Sequence, residues 1–257
     1  MSADETMKET TQEAPATGSP EVEEASAKRP TKRWPIILGV ALVVVIAAGI
    51  GFFVWHEQPS FCNAICHTPM DAINATYDQE PGAPGIDKYG NEVKNTMGLL
   101  AVSHQANDLD VTCLECHVPQ MSEQITEGIE WATGNYDVVE NKNGQYLPPE
   151  TTLEDLVEAR QAAGLIDEGH AEQFCLTSGC HVTADGDAMT LEDLKESTAG
   201  LAHNPHDFYH GDVDCSDCHK AHRASINICS ECHANAELPE GWLTYAEGLD
   251  VYVPVAA

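Results

Sequence analysis

The hydrophobic and polar positions divide the chain into three unlike stretches. Residues 1–33 are polar, rich in Glu, Thr, Ala, Pro and Ser, and show no apolar periodicity, so they read as a disordered tail. A basic cluster, Lys28, Arg29, Lys32 and Arg33, closes the tail. The next stretch, 34–55, begins and ends in tryptophan and carries no charge between Ile36 and Val54. At about 1.5 Å per residue that run nearly matches a hydrocarbon layer of about 30 Å. Trp34 and Trp55 stand where interfacial aromatics belong. A cleaved signal peptide has a shorter apolar region, roughly 7–15 residues, ending at a small-residue site. Ala47-Ala48-Gly49 is small, but the apolar run continues through Phe52, Phe53 and Val54, which predicts an uncleaved anchor. The basic cluster precedes it, so the positive-inside rule leaves the N-terminus in the cytoplasm and the rest outside. The expected location is the cell membrane, single-pass.

Beyond Trp55 the pattern predicts little regular structure. Thr151 and Thr152 ahead of Glu154 and Asp155 predict a helix from Leu153 to Ala163, stopped by Gly164. Thr190 with Asp193 opens a second, through Glu196, and a third is expected from Gln120 to Ala132. Asn143-Gly144 marks a turn, and Pro81 to Gly90 and Asn141 to Pro149 are loop-like. No alternation persists long enough for a sheet. The acidic run around Gly186 lacks the closing Glu of a twelve-residue calcium loop and reads as a turn.

Composition changes this picture. Twelve Lys+Arg against 42 Asp+Glu give a net charge of −30, which excludes a nucleic-acid partner because phosphate would be repelled. Aromatic residues are only 6%, thin for a large apolar core, while Cys numbers 10 and His 12. All ten cysteines fall into five pairs, each followed at once by His: CNAICH at 62–67, CLECH at 113–117, CLTSGCH at 175–181, CSDCH at 215–219 and CSECH at 229–233. Cys-x-x-Cys-His is the attachment signature of c-type haem. Two thiols, here Cys62/Cys66, Cys113/Cys116, Cys175/Cys180, Cys215/Cys218 and Cys229/Cys232, add to the two vinyl groups, and the adjacent His takes an axial position on the iron. Two of the pairs are expanded, with three and four intervening residues, which loop out while the anchoring ends stay put. Neither zinc nor a disulfide framework requires His after every pair. Chance would give five from five on the order of once in several million.

The expectation is five covalent haems with proximal ligands His67, His117, His181, His219 and His233. Seven histidines remain as candidates for the opposite faces: His56, His104, His170, His203, His206, His210 and His222. His222 lies three residues past His219 and cannot comfortably reach the far face of the same haem, so it is expected to serve a neighbour.

The segments HNPHDFYHGDVDCSDCHKAHRASINICSECH and SHQANDLDVTCLECH, with CLTSGCH, resemble the tetrahaem cytochrome domain of bacterial flavocytochrome fumarate reductases, over Ser103 to Ala236. That resemblance implies His104, His203, His206 and His222 as distal ligands of four bis-His haems, with His210 a rival for His203 or a spare. The front end, one anchor followed by CNAICHTPM, is similar to the NapC/NirT/NrfH family of membrane quinol dehydrogenases, as is TCLECHVP. The likeness implies Met70 as a ligand of the first iron, although the family usually has two residues between its cysteines and the Met two past the His. It also implies a Lys and an Asp near a quinol pocket. No Lys lies between Val118 and Asn141, and Asp137 is the Asp counterpart.

The expected fold is mostly α and irregular, a haem-organised multihaem cytochrome c domain on a single N-terminal transmembrane helix. Its parts are a cytoplasmic tail (1–33), the anchor (34–55), a membrane-proximal first-haem region (56–102), a tetrahaem domain (103–236) and a C-terminal tail (237–257). The expected function is oxidation of menaquinol near the first haem, with Asp71, Asp78 and Asp137 as candidate proton acceptors, and relay of electrons to an extracytoplasmic reductase in anaerobic respiration. Expected partners are the quinol pool, a flavin- or haem-containing reductase and a second copy of the chain. Two other readings are a terminal reductase working at an open haem and a conduit without quinol contact.

Overall fold

The computed structural model describes residues 33–65, 67–107, 111–117, 121–149, 175–176, 180–211 and 213–254, without the side chains of His67, Thr68 and Met121. The helix expected over 153–163, Cys66 and His170 lie outside the described residues. The chain forms two compact units, 1–47 and 48–257.

Helix α1, Trp34–His56, is apolar on every side, has no buried residue, and is long and apolar enough to cross a membrane. Within the larger unit, α2 (Pro59–Ile65) opens on a proline, whose missing N–H costs nothing in a first turn. Its Phe61 packs edge-on against Trp55, with ring centres 5.0 Å apart, and against Phe52 at 5.6 Å. Helix α3, His67–Tyr77, follows directly.

The expected loops at 81–90 and 141–149 each supply one strand and part or all of the turn of a hairpin instead. Strand β1 (Gly85–Ile86) pairs antiparallel with β2 (Glu92–Val93), and β3 (Val139–Glu140) pairs with β4 (Tyr146–Leu147). They share one design. Asp87 Oδ1 accepts from the backbone N–H of Tyr89 and Asn91, and Asn141 Oδ1 accepts from those of Asn143 and Gln145. Gly90 and Gly144 supply the positive φ, 79° and 76°, that closes each turn. The hairpins lie against each other, Lys142 N–H donating to Tyr89 O at 3.1 Å. Two-residue strands leave no alternation in the sequence, which is why they read as loops.

A 3-10 turn at Thr96–Gly98 leads into α4 (Leu100–Ala106). Next come α5 (Cys113–His117) and α6 (Met121–Thr133), the latter within one residue at each end of its expected bounds. Helix α7, Leu191–Thr198, is opened by a Thr190/Asp193 capping box, as its sequence predicts. The turn at Gly186, φ 90°, closes a bridge between Val182 and Ala188. Helix α8 spans Cys215–Cys218, and strand β5 (Ile226–Asn227) pairs in parallel with β6 (Leu243–Thr244), ahead of α9 (Tyr245–Leu249). The C-terminal tail is thus part of the fold.

Among the described residues the apolar core is two small clusters: Ala72, Tyr89, Val139 and Leu147, and Val93, Leu99, Val102 and Ala224 with Leu243 against it. Backbone hydrogen bonds do much of the remaining tying. The first N–H groups of α4, which have no partner inside the helix, donate to Lys220 O and Ala221 O. Lys88 N–H donates to His222 O, and Ser225 N–H to Gly98 O. These bonds hold α4 and the CHKAH segment in one frame.

Candidate haem sites

One helical turn explains the attachment motif. On a helix, residues i, i+3 and i+4 share a face, so Cys-x-x-Cys-His presents both thiols and the imidazole together. CLECH is itself α5, and the two cysteines of CSDCH bound α8, whose N-terminus Asp214 caps with Asp217. Cys62 sits on α2.

CSECH departs from that arrangement. Its helical part is a 3-10 turn, Ile228–Glu231, in which Asn227 Oδ1 accepts from Cys229 N–H at 3.0 Å. Cys229 lies inside the turn and is half-buried, whereas Cys232 lies one residue past its end and is exposed. The two thiols expected to act as an attachment pair therefore differ in setting. Cys232 caps the 3-10 turn, but the split does not come from the kind of turn, since on the α-helical α5 Cys113 is half-buried and Cys116 exposed as well. Cys232 N–H donates to Cys229 O at 3.2 Å, and His233 N–H donates to the same oxygen at 2.8 Å. Those two bonds keep Cys229, Cys232 and His233 within one turn of chain, and the exposed thiol remains open to addition.

No disulfide joins the described cysteines, and among the described residues no three His, Cys, Asp or Glu side chains gather as a zinc site requires. Burial is the leading cause raising the thiols of Cys62, Cys113 and Cys116, and that of Cys218 to about 11. A thiol of the next motif adds to the rise: Cys113 for Cys62, Cys180 for Cys116 and Cys229 for Cys218. Cys175 is raised first by its hydrogen bond to Cys215. Motifs consecutive in the chain are therefore neighbours in space.

The histidines are arranged in facing pairs. Ring centres are 6.4 Å apart for His117 and His222, 6.2 Å for His104 and His181, 6.5 Å for His206 and His219, and 6.4 Å for His210 and His233. With a metal–nitrogen bond of about 2 Å and the ring centre roughly 1.1 Å beyond it, two imidazoles on opposite faces of one iron have centres roughly 6.3 Å apart. Four pairs meet that separation, and each contains one histidine from a Cys-His motif. His203 does not: its ring centre is 4.5 Å from that of His233, leaving no room for a metal, and its Nε2 bonds Asn235 Oδ1 at 3.1 Å. The geometry favours His210 over His203 opposite His233. The residues fit a bis-His haem at all four places.

The second ring nitrogen supports the same reading. His104 Nδ1–H donates to Leu100 O at 2.8 Å within α4. His222 Nδ1 bonds Thr76 Oγ1 at 2.8 Å, and His206 Nδ1 bonds Thr198 Oγ1 at 3.2 Å. A ligand imidazole held through one nitrogen presents the other to the metal. Burial, ahead of repulsion from His206, His181 and His104, lowers His219 to about 4; burial, ahead of His117 and Lys88, lowers His222 to about 3. Burial also lowers His181 and His206. A neutral imidazole is the form that ligates. Trp242 packs edge-on against the His219 ring, with centres 5.0 Å apart.

The candidate proton acceptors are scattered. Asp71 is exposed on α3, and Asp137 is exposed in the loop after α6. Asp78, exposed just past α3, stands near Cys113 of the second motif and adds to the rise in its pKa. Met70 is half-buried on α3, its carbonyl accepting from Asn74 Nδ2. Cys66 and the His67 side chain are outside the described residues, so the first site is described only in part. A carboxyl that sequence did not single out also acts on it: Glu127 of α6 adds to the rise in the Cys62 pKa. Its own pKa is raised by partial desolvation and then by Glu123 and Glu130. The spacing of those three acids along one helix was the available signal.

Comparison with known proteins agrees with these sites. Residues 161–234 match the cytochrome c3 family. Over 217 residues the chain is 52% identical to the cytochrome c-type protein Cgr1 of Eggerthella lenta, covering 84% of this chain and 90% of that one. No solved structure matches. Five Cys-His motifs, four facing His pairs and a relative matched over most of both lengths converge on one assignment: the chain belongs to this family of cytochrome c-type proteins, multihaem electron-transfer proteins with a cytochrome c3-type domain.

Proposed function

We propose that the protein is a membrane-anchored pentahaem cytochrome that oxidises menaquinol and relays electrons to an extracytoplasmic reductase in anaerobic respiration. The observation that carries this reading is the set of four His pairs spaced 6.2–6.5 Å apart. Bound haem supplies one-electron exchange between ferric and ferrous iron. The chain's residues do the rest. Ten cysteines anchor the groups covalently. His104 and His181, His117 and His222, His206 and His219, and His210 and His233 would hold four haems as imidazole pairs, which would leave substrate no open position there. That closure favours conduction over catalysis at those sites. His67, with Cys62 and Cys66, holds the fifth group, and Met70 is the candidate for its other face.

Cys62 lies just beyond α1, so an anchored chain keeps its first site at the lipid surface, within reach of a quinol. Oxidising a quinol releases protons, which Asp71, Asp78, Asp137 or Glu127 accepts. Nearness of successive motifs supports a relay in chain order, from Cys62 outward to Cys229 and Cys232.

The full chain in detergent, mixed anaerobically with a reduced menaquinone analogue, should develop the sharp absorption of ferrous low-spin haem. No reduction, with dithionite still effective, would leave a conduit without quinol contact. Strong carbon monoxide binding to the reduced protein would instead indicate an open iron and a terminal reductase.

A further inference from the structure

The hydroxyl of Thr76 is 1% exposed within α3 and touches a histidine 146 positions away in the chain. It has one hydrogen to give. Oγ1 lies 2.6 Å from Ile73 O, a carbonyl that can only accept, so the hydroxyl hydrogen is spent there. Oγ1 is also 2.8 Å from His222 Nδ1 and must accept in that second bond, so the proton of neutral His222 resides on Nδ1. Its Nε2 is then the nitrogen with the free lone pair, and the ring it belongs to faces His117 at 6.4 Å with the planes 19° apart.

We propose that Thr76 is a positioning residue that fixes the tautomer and ring plane of His222 and thereby tunes the haem held between His117 and His222. The inference rests on the bis-His reading of that pair. Three distal histidines have a defined Nδ1 partner, but they differ. His104 uses a carbonyl of its own helix, and His206 a half-buried threonine eight residues away. His222 relies on a buried side chain of another element, so its orientation is set by where α3 packs. Helix α3 begins at His67, the proximal ligand of the first site. The nine residues from His67 to Thr76 thus act as a spacer of about 13 Å between one site's ligand and the next site's orienting bond. Accepting a hydrogen bond from Nδ1–H also makes the imidazole a stronger donor, which favours ferric iron. Removing that acceptor therefore raises the reduction potential of one haem.

The test uses the full, haem-loaded chain with Thr76→Val, Thr76→Ser and His222→Met, each first checked by intact mass for its complement of haems. Thr76→Val keeps the side-chain volume and loses the acceptor; Thr76→Ser keeps the acceptor. In Thr76→Val we expect one haem to shift to higher potential and one low-spin electron paramagnetic resonance signal to change, with the remaining haems unmoved and Thr76→Ser close to wild type. Unchanged potentials and spectra in Thr76→Val, or equal shifts in both variants, would overturn the proposal. His222→Met separates the two levels of the argument: a changed spectrum for one haem upholds ligation by His222, and no change would remove the bis-His reading and Thr76's role with it.

Discussion

His210 and His203 show how a few ångströms decide between two similar residues. Both precede CSDCH and both approach His233, but only His210 stands at the 6.4 Å that leaves room for an iron; His203 is at 4.5 Å and is bonded to Asn235. His210→Ala should convert one haem to a high-spin form visible in the ferric spectrum, and His203→Ala should not. Glu247 gives a pH prediction. Backbone and side-chain hydrogen bonds from Thr244 and the Lys94 ammonium hold its carboxyl down at about 2, below its ordinary 4.5. The stabilisation is complete above 4.5 and is lost as pH falls through 2. Glu247→Gln should therefore lower the melting temperature at neutral pH, and the difference from wild type should shrink as acid is added below about 4.5. Thermal melts at several pH values check this; a constant difference would refute it. At this level the Cys-His motifs were legible, because haem addition needs two thiols and an imidazole close together in the chain. The unequal exposure of paired thiols was not: Cys113 and Cys229 are half-buried and Cys116 and Cys232 exposed, whereas Cys215 and Cys218 are both half-buried, in motifs of the same spacing. Nor was the pairing of histidines. His104 and His181 are 77 positions apart, and Thr76 and His222 are 146, with no local pattern to connect them.

Elements were legible where local chemistry is self-sufficient. The capping box of Thr190 and Asp193 announces α7 because both bonds form within four residues. The hairpins of Asp87 and Asn141 went unread because their strands are two residues long and their stability comes from side-chain-to-backbone bonds and from lying against each other. The place of the C-terminal tail depends on a contact equally invisible in sequence. A Cβ at Gly98 would stand 2.0 Å from Gly241 O, and one at Gly241, where φ is +81°, would stand 2.4 Å from Asn95 O. Both glycines are needed for the backbones to touch. Gly98→Ala should therefore displace the tail from β5 and loosen Trp242 from His219. Limited proteolysis should then cut between 237 and 254 at least several-fold faster than in wild type, whereas an unchanged digest would show that the strands can slide to make room.

For the whole molecule, a thin apolar core and a charge of −30 have separate effects. Among the described residues the buried apolar clusters are small for a unit of this length, which leaves covalent haem to contribute much of what an ordinary interior provides. Replacing both cysteines of one motif by serine should cost resistance to protease across the larger unit as well as one redox centre. The acidic surface should also sort electron acceptors by sign. Reoxidation of the reduced protein by a cationic ruthenium hexaammine should slow as salt is added, and reoxidation by anionic ferricyanide should quicken. Equal salt dependence for the two would mean that the exit haem lies away from the acidic face. Helix α1 adds a constraint of a different kind. It is apolar around its whole circumference, and no atom lies close to the missing Cβ of Gly39, Gly49 or Gly51. If α1 anchors the chain, a tether with no polar side gives a bilayer nothing to grip in rotation. The compass bearing of such a cytochrome over the lipid would then be dictated by what lies above the headgroups.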